Sequence, residues 1–146
     1  MSSFHLHGVL ASAGSSEFWD LLSISVGFPT PEKMAQVRQA YCGRRGCALI
    51  AAHLEGRTVG VIGYQDCDDG VELKHIAVSP DKQRSGIARA LVQAVIEAFP
   101  DKGIYAETHD GAVGFYNRLG FQSDLLPPTP GREKRWKCRR QPEFGQ

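Results

Sequence analysis

Apolar positions recur every three or four residues along residues 86–99 and predict a strongly amphipathic helix. Its polar side carries Arg89, Gln93 and Glu97, and Pro100 ends it. The apolar side consists of Ala88, Leu91, Val92, Val95, Ile96 and Phe99. No other segment of the chain shows the helical period as clearly.

Strand-like segments lie on both sides of this helix. β-rich runs at residues 47–54 and 58–65 are joined by a polar turn typical of a hairpin, and further runs cover 71–78 and 104–108. Shorter helices are expected where Ser15, Thr30 and Asp110 offer capping side chains ahead of apolar stripes. A first strand at residues 4–9 and two closing strands at 121–126 and 134–139 complete the prediction.

The order of these elements decides the fold class. A helix between strands 71–78 and 104–108 makes a crossover connection, so these two strands should lie parallel, whereas the preceding hairpin is antiparallel. We therefore expect a single domain over residues 1–146. Its class is α/β (α+β mixed), with a central mixed, mostly antiparallel sheet and helices on both faces.

Bulk composition narrows the classes of function. The 146 residues are 42% hydrophobic and 23% charged with a net charge of +1, which indicates a soluble globular protein without general attraction to nucleic acid or anionic membranes. Apolar runs are shorter than the roughly 20 residues of a membrane span, and the N-terminus lacks the positive charge of a signal peptide. The four cysteines form no C-x-x-C pair. We expect reduced thiols and a cytoplasmic location.

The turn that leads into the amphipathic helix has the features of an anion site. The first N–H groups of a helix have no intrahelical acceptor, and the helix dipole adds a partial positive charge there. Gly86 and the small Ala88 let the backbone approach a ligand, while Lys82, Arg84 and Arg89 add full charges. These features predict a phosphate or pyrophosphate site, with a plain loop of solvated basic residues as the alternative. Neither a Walker loop nor a three-glycine dinucleotide fingerprint is present.

Two motifs here resemble those of the GCN5-related N-acetyltransferases, the GNAT superfamily. The segment Gln83-Arg84-Ser85-Gly86-Ile87-Ala88 resembles the family's Q/R-x-x-G-x-G/A signature, with Ala88 in place of the commoner second glycine. Downstream, Gly114-Phe115-Tyr116-Asn117-Arg118-Leu119-Gly120-Phe121 is similar to its F-Y-x-x-x-G-F motif, at a fitting separation. The strong resemblance covers residues 71–122.

The resemblance implies that the two parallel strands splay apart and that acetyl-CoA is the cosubstrate, with no metal. The implied pyrophosphate site consists of Gln83, Arg84, Ser85, Gly86, Ile87, Ala88 and Arg89. The pantetheine arm would lie along Ile76, Ala77 and Val78, with backbone groups of Ile76 and Val78 as its partners. Asn117 would also touch the coenzyme.

Acetyl transfer to an amine requires a base, because a lysine-like amine with a pKa of about 10.4 arrives protonated. Simple strand alternation predicts that Glu72 shares one face with Lys74, Ile76 and Val78. Since the family often has a carboxylate at this offset, Glu72 is the candidate base. The alternative is an ion pair between Glu72 and Lys74. His75 is expected to face the other way and to pack against the core or a helix.

The departing thiolate requires an acid. The motif resemblance carries Tyr116 to the position of the family's general acid, and a phenol held within hydrogen-bond reach can protonate a thiolate. The alternative is an aromatic side chain that fills the space between helix and sheet.

Two further patterns are weaker. His5 and His7 would share one face of a strand, but no third ligand is evident in the sequence, so we expect no metal. The basic residues of segment 132–140 could contact nucleic acid; a charged, solvated edge strand is the preferred interpretation. They are Arg132, Lys134, Arg135, Lys137, Arg139 and Arg140.

With this resemblance, the sequence predicts an N-acetyltransferase that moves an acetyl group from acetyl-CoA to the primary amine of a small molecule within a ternary complex. The alternatives are acetylation of a protein N-terminus or lysine, and a non-catalytic acyl-CoA-binding sensor. The expected partners are acyl-CoA and an amine acceptor, without membrane or nucleic acid. A homodimer is left open.

Overall fold

The computed structural model describes residues 3–142, so the two ends of the expected domain, residues 1–2 and 143–146, lie outside the described part. The helices and strands are β1 His5–Val9, α1 Ser16–Ser23, α2 Pro31–Gly43, β2 Cys47–Leu54, β3 Arg57–Cys67, β4 Gly70–Val78, α3 Ile87–Ala98, β5 Ile104–His109, α4 Asp110–Arg118, β6 Gln122–Leu125 and β7 Arg135–Arg140. A short 3₁₀ turn, Pro80–Lys82, lies between β4 and α3.

The strands form one sheet in the order β1-β2-β3-β4-β5-β7-β6. Neighbouring strands are antiparallel except β4 and β5, which run parallel, so the predicted mixed and mostly antiparallel sheet is confirmed. The expectation that the basic C-terminal segment is an edge strand is wrong, because β7 lies between β5 and β6. Its charges have partners on the sheet surface: Arg139 pairs with Asp124 at 2.8 Å, and Lys137 lies over the Tyr105 ring.

The helices cover both faces of the sheet, as predicted. One core contains the apolar stripe of α3, and Leu91, Val92 and Val95 are fully buried in it. The other core lies under α1 and α2 and contains Leu22 and Tyr41. Among the described residues, no helix is long and apolar enough to span a membrane.

The helix starts follow the predicted capping chemistry in two cases out of three. The Ser15 and Thr30 hydroxyls accept hydrogen bonds from backbone N–H groups three residues on, at 3.2 and 3.1 Å. Such a cap contributes about 1 kcal/mol to a helix. At α4 the cap is His109, whose Nδ1 accepts from the N–H of Gly111, while the Asp110 carboxylate accepts from the indole of Trp136.

A bulge in β4 inserts one residue into its ladder with β3. Gly63 pairs with His75, but the next residue of β3, Tyr64, pairs with Leu73, so Lys74 has no opposite residue. An inserted residue shifts the two-residue period of a strand by one. The side chains of β4 therefore exchange faces at Lys74.

This exchange overturns one expectation about the site. Beyond the bulge, Ile76 and Val78 pack against the core under α3, whereas Ala77 belongs to the core under α1 and α2. Glu72 lies before the bulge and therefore shares its face with His75 and Ala77. The prediction that Glu72 shares a face with Ile76 and Val78 is wrong, because alternation does not continue through a bulge.

Candidate active site

Strands β4 and β5 separate soon after they begin. Their paired residues are Val71 with Ile104 and Glu72 with Tyr105, although β4 continues to Val78. The gap opens into a cleft with a volume of about 1030 Å³. Pockets for small molecules typically measure about 300–1,000 Å³, so this cleft has room for a large cofactor. The predicted splay of the parallel pair is confirmed.

The β4 side of the gap presents unpaired backbone groups. The N–H of Ser79 donates to the carbonyl of Val59 in β3 at 2.8 Å. Because the backbone groups of successive residues alternate between two neighbouring strands, those of Ala77 also face β3. Those of Ile76 and Val78 then face the gap. They offer donors and acceptors to an extended ligand in the way that a sheet edge accepts another strand.

The N-terminus of α3 opens into the same cleft. Gly86 caps the helix in the left-handed conformation (φ 86°, ψ 3°), and no side chain caps the first-turn amides. Arg84 is also left-handed, with φ 67°. Ile87 and Ala88 line the cleft, and their amide groups have no intrahelical acceptor, so they are available to an anionic ligand there.

α3 can approach the sheet this closely because β3 carries a glycine beneath it. A Cβ atom on Gly60 would lie 2.5 Å from Cγ2 of Ile87, a distance that real Cβ atoms essentially never show. Gly60 therefore fixes how deeply the first turn of α3 sits beside the gap.

The charge at this end of the cleft is positive. The basic residues of the loop before α3 and of its first turn that line the cleft are Lys82, Arg84 and Arg89. The neighbouring Asp81 is engaged elsewhere: both its carboxylate oxygens accept from Arg57, at 2.9 and 3.0 Å. Hydrogen bonds from the Ser79 hydroxyl and from Arg57 lower the pKa of Asp81 to about 2. Its charge is thus balanced outside the cleft, which leaves the loop free to attract an anion.

Tyr116 lies on α4 in the wall of the cleft, only 4% exposed, between the rings of Phe115 and Phe121. Burial, with a smaller contribution from Cys138, raises the pKa of Tyr116 to about 12. Within residues 3–142, no group hydrogen bonds to its hydroxyl. Its proton is therefore retained at neutral pH, and no described residue competes for the hydroxyl.

Glu72 is outside the lining of the cleft. Its Oε1 lies 3.4 Å from Nζ of Lys74, so the ion pair that was the alternative to a base role is present. Lys74, unlike Glu72, does line the cleft. The role of Glu72 as a base stays a prediction.

His75 is the cleft residue that sequence reasoning assigned only to packing. It lines the cleft, and its Nδ1 lies 2.6 Å from the hydroxyl of Tyr41 on α2. Burial lowers the pKa of His75 and raises the pKa of Tyr41, so the pair is neutral. Gly63 makes room for it, because a Cβ there would lie 2.0 Å from the Tyr41 oxygen. The sequence pattern does not predict the bulge that turns His75 toward this position.

Most of the residues predicted to hold the coenzyme meet in this one cleft: Ile76, Ala77, Val78, Gln83, Arg84, Gly86, Ile87, Ala88 and Arg89. Ser85 and Asn117 are outside its lining; the Ser85 hydroxyl donates to the carbonyl of Lys82, and Asn117 accepts from Ser123. The sequence did not indicate the remaining wall, formed by residues 24–27 after α1 and by the end of β5.

Comparison with known proteins adds to this geometry. The model of the acetyltransferase (GNAT) family matches residues 15–121. Human N-acetyltransferase 8 is 29% identical over 101 residues, which cover 61% of this chain and 44% of that protein. The [ribosomal protein bS18]-alanine N-acetyltransferase of Escherichia coli is 33% identical over 76 residues, or 44% of this chain and 51% of the relative. The chain thus matches about half the length of these curated relatives.

Solved structures match nearly the whole chain. The E. coli ribosomal-protein-S18-alanine N-acetyltransferase superposes with a TM-score of 0.75 and 21% identity, over 99% of this chain and 97% of the other. A GNAT family acetyltransferase from Elizabethkingia anophelis, with acetyl-CoA bound, gives a TM-score of 0.71 and 19% identity over 94% and 97% of the two chains. At these identities the structures support the fold.

Proposed function

The chain belongs to the acetyltransferase (GNAT) family, and we propose that it transfers an acetyl group from acetyl-CoA to the primary amine of a small molecule. The observation that carries the proposal is the meeting of two backbone features in one cleft. The gap-facing groups of Ile76 and Val78 suit an extended pantetheine arm, and the open amides at the start of α3 suit a diphosphate. The similar structure from E. anophelis has acetyl-CoA bound.

The proposed reaction is a direct attack within a ternary complex. The amine nitrogen bonds to the thioester carbon, the C–S bond breaks, and the acetyl group ends on nitrogen. The nitrogen gives up a proton to a base, and the sulfur gains one from an acid. A gap-facing N–H group of β4 would stabilise the negative charge that develops on the carbonyl oxygen.

Tyr116 is the proposed acid. Because its pKa is raised to about 12, it still carries its proton when the thiolate leaves. An ordinary thiol has a pKa of about 8.5, so complete transfer from Tyr116 to a solvated thiolate would be unfavourable. Burial in the cleft raises the pKa of the leaving thiol in the same direction, which brings the two groups closer.

Glu72 stays the proposed base, acting through a water molecule, and its ion pair with Lys74 competes with that role. His75 is a second candidate, favoured by its place in the cleft wall and by its neutral state. A neutral imidazole can accept a proton directly. The two candidates predict different mutant behaviour.

Two other functions are alternatives. Acetylation of a protein N-terminus is favoured by the E. coli relative that acts on an alanine of a ribosomal protein. A sensor that binds acyl-CoA without catalysis would use the same coenzyme groups and would leave Tyr116 without a role.

The decisive experiment measures release of free CoA thiol with a panel of small primary amines and a peptide with N-terminal alanine. Binding of acetyl-CoA is measured in parallel by calorimetry. We expect Tyr116→Phe to lower kcat by about 100-fold or more with little change in the KM for acetyl-CoA. The matched control is Tyr64→Phe, since Tyr64 packs against Phe99 outside the cleft, and its kcat should stay within about twofold of wild type.

Three outcomes would each refute one of these hypotheses. Coenzyme binding without turnover on any acceptor would refute acetyl transfer in favour of the sensor. Turnover with the peptide alone would refute a small-molecule acceptor. Equal kcat for Tyr116→Phe and wild type would remove Tyr116 from the mechanism.

A further inference from the structure

Three histidines meet at the edge of the sheet, away from the cleft. His5 of β1 lies directly opposite His53 of β2, and His7 is two residues further along the same strand. One ligating nitrogen from each ring lies within 4.8 Å of the other two. No third ligand was evident in the sequence, because the histidine beside His5 and His7 comes from a distant part of the chain through the pairing of β1 with β2.

Backbone geometry places all three rings on one face. Leu6 of β1 and Ala52 of β2 belong to the core under α3, so the residues that alternate with them face the opposite side. His5 and His7 flank Leu6, and His53 follows Ala52. Their common face is the one covered further along by α1.

The surroundings of His53 fix its orientation. Its Nε2 lies 3.0 Å from the hydroxyl of Thr58, across a bulge where the register of β2 and β3 shifts. When Nε2–H donates to this hydroxyl, the lone pair of Nδ1 is free. A second-shell hydrogen bond of this kind is the usual way in which proteins orient a metal-binding imidazole.

The distances are close to those that a metal ion requires. The His7 and His53 ring centroids are 4.2 Å apart, and His5 lies 6.0 Å from each. Tetrahedral zinc with Zn–N bonds of about 2.05 Å separates its nitrogens by about 3.3 Å. His5 and His7 are exposed, and in the described part of the chain neither has a hydrogen-bond partner. Small ring rotations therefore close the remaining distance without the loss of an existing bond.

We propose that His5, His7 and His53 bind one divalent transition-metal ion, with zinc as the representative, and that solvent completes the coordination. Three neutral imidazoles favour such an ion over magnesium or calcium, which prefer oxygen ligands. Two ligands come from the edge strand β1 and the third from β2, so the bound ion fastens the edge strand to the sheet. The site is separate from acetyl transfer, because none of the three histidines lines the cleft.

The test titrates the metal-free full chain, carrying no histidine tag, with zinc chloride by calorimetry. We expect one ion per chain and at least about 100-fold weaker binding in His7→Gln and in His53→Gln. Thr58→Val, which removes the orienting hydroxyl, should weaken binding about tenfold. His109→Gln is the matched control: it removes an imidazole from a distant part of the chain and should bind as wild type does.

Two further readouts address location. Hydrogen exchange should show that zinc protects the amides of β1 in wild type and leaves them unaffected in His53→Gln. Cobalt bound in place of zinc should show no thiolate-to-metal charge-transfer absorption, because the proposed ligands are nitrogens. Wild-type affinity in His53→Gln, a thiolate band, or the lack of a one-to-one site would each overturn the proposal.

Discussion

Gly86→Ala tests how the loop before α3 holds its shape. Gly86 is left-handed at φ 86°, and a Cβ atom built on it would meet nothing within 4 Å. The substitution therefore introduces no clash, and its whole cost is conformational. A non-glycine residue in the left-handed region costs about 1–2 kcal/mol.

This cost can emerge in either of two measurements. If the substituted loop keeps its conformation, the free energy of unfolding falls by the full amount. With about 2.1 cal/mol/K of unfolding entropy per residue, that loss lowers Tm by roughly 3–7 °C for this chain. If the loop relaxes instead, stability is spared, and acetyl-CoA must restore the conformation, which weakens binding by about 5- to 30-fold. The two losses together should amount to about 1–2 kcal/mol.

Gly131→Ala is the control. Gly131 also has a positive φ, 77°, with nothing within 4 Å of a built Cβ, and it lies outside the cleft lining. It should lose stability by the same mechanism without a change in coenzyme affinity. Arg84→Gly should raise stability, because it relieves the strain of a non-glycine residue at φ 67°. It also removes a positive charge, so it should weaken acetyl-CoA binding. Suppose that Gly131→Ala lowers stability but Gly86→Ala changes neither stability nor acetyl-CoA affinity. That result would refute the conformational cost assigned to Gly86.

Two further predictions concern proton equilibria. Burial raises the pKa of Tyr116 to about 12 and also raises the pKa of Tyr41, so these phenols ionise in the unfolded chain first as pH rises. Their contribution to the free energy of unfolding is complete below pH 10. It is lost above pH 10, by about 2–3 kcal/mol for Tyr116 by pH 12. Chemical denaturation across this range should show the decline, with a shallower one in Tyr116→Phe, and a flat profile would contradict it. Glu72→Gln should lower kcat by about 10- to 100-fold at neutral pH and by less near the pKa of the amine, where free amine is abundant. The same pH-dependent loss in His75→Gln, with Glu72→Gln unaffected, would assign the base to His75.

The proposed coenzyme end of the site could be predicted from the sequence because its signals are local. The helical period of α3 and the glycine at its cap lie within one continuous segment. The crossover through α3 also required β4 and β5 to be parallel, whatever the rest of the chain does. These features predicted the sheet type and an anion site before α3, whereas the splay of β4 and β5 and the proposed coenzyme-binding residues were implied by the resemblance to the GNAT family.

The features that the sequence did not predict depend on the register between distant strands. The bulge at Lys74 arises from how β4 pairs with β3, and one inserted residue moves Glu72 to the opposite face from Ile76. The meeting of His53 with His5 likewise depends on the pairing of β1 and β2. Residue type at a single position does not encode such a shift, because the competing registers differ in contacts made elsewhere.

The bulge also explains why the sequence identifies the donor better than the acceptor. It turns the backbone of Ile76 and Val78 toward the gap, so the proposed recognition of the pantetheine arm would rest on peptide groups that any residue supplies. The proposed diphosphate site consists of helix amides and one left-handed glycine, again mainly backbone groups. The proposed acceptor end is bounded by residues 24–27 and by the end of β5, whose identities can vary without loss of the cleft. Substitutions there should change which amine is acetylated before they change the affinity for acetyl-CoA, which is measurable in the same amine panel. A variant of residues 24–27 that lost acetyl-CoA affinity and kept its amine preference would show that this division of the cleft is wrong.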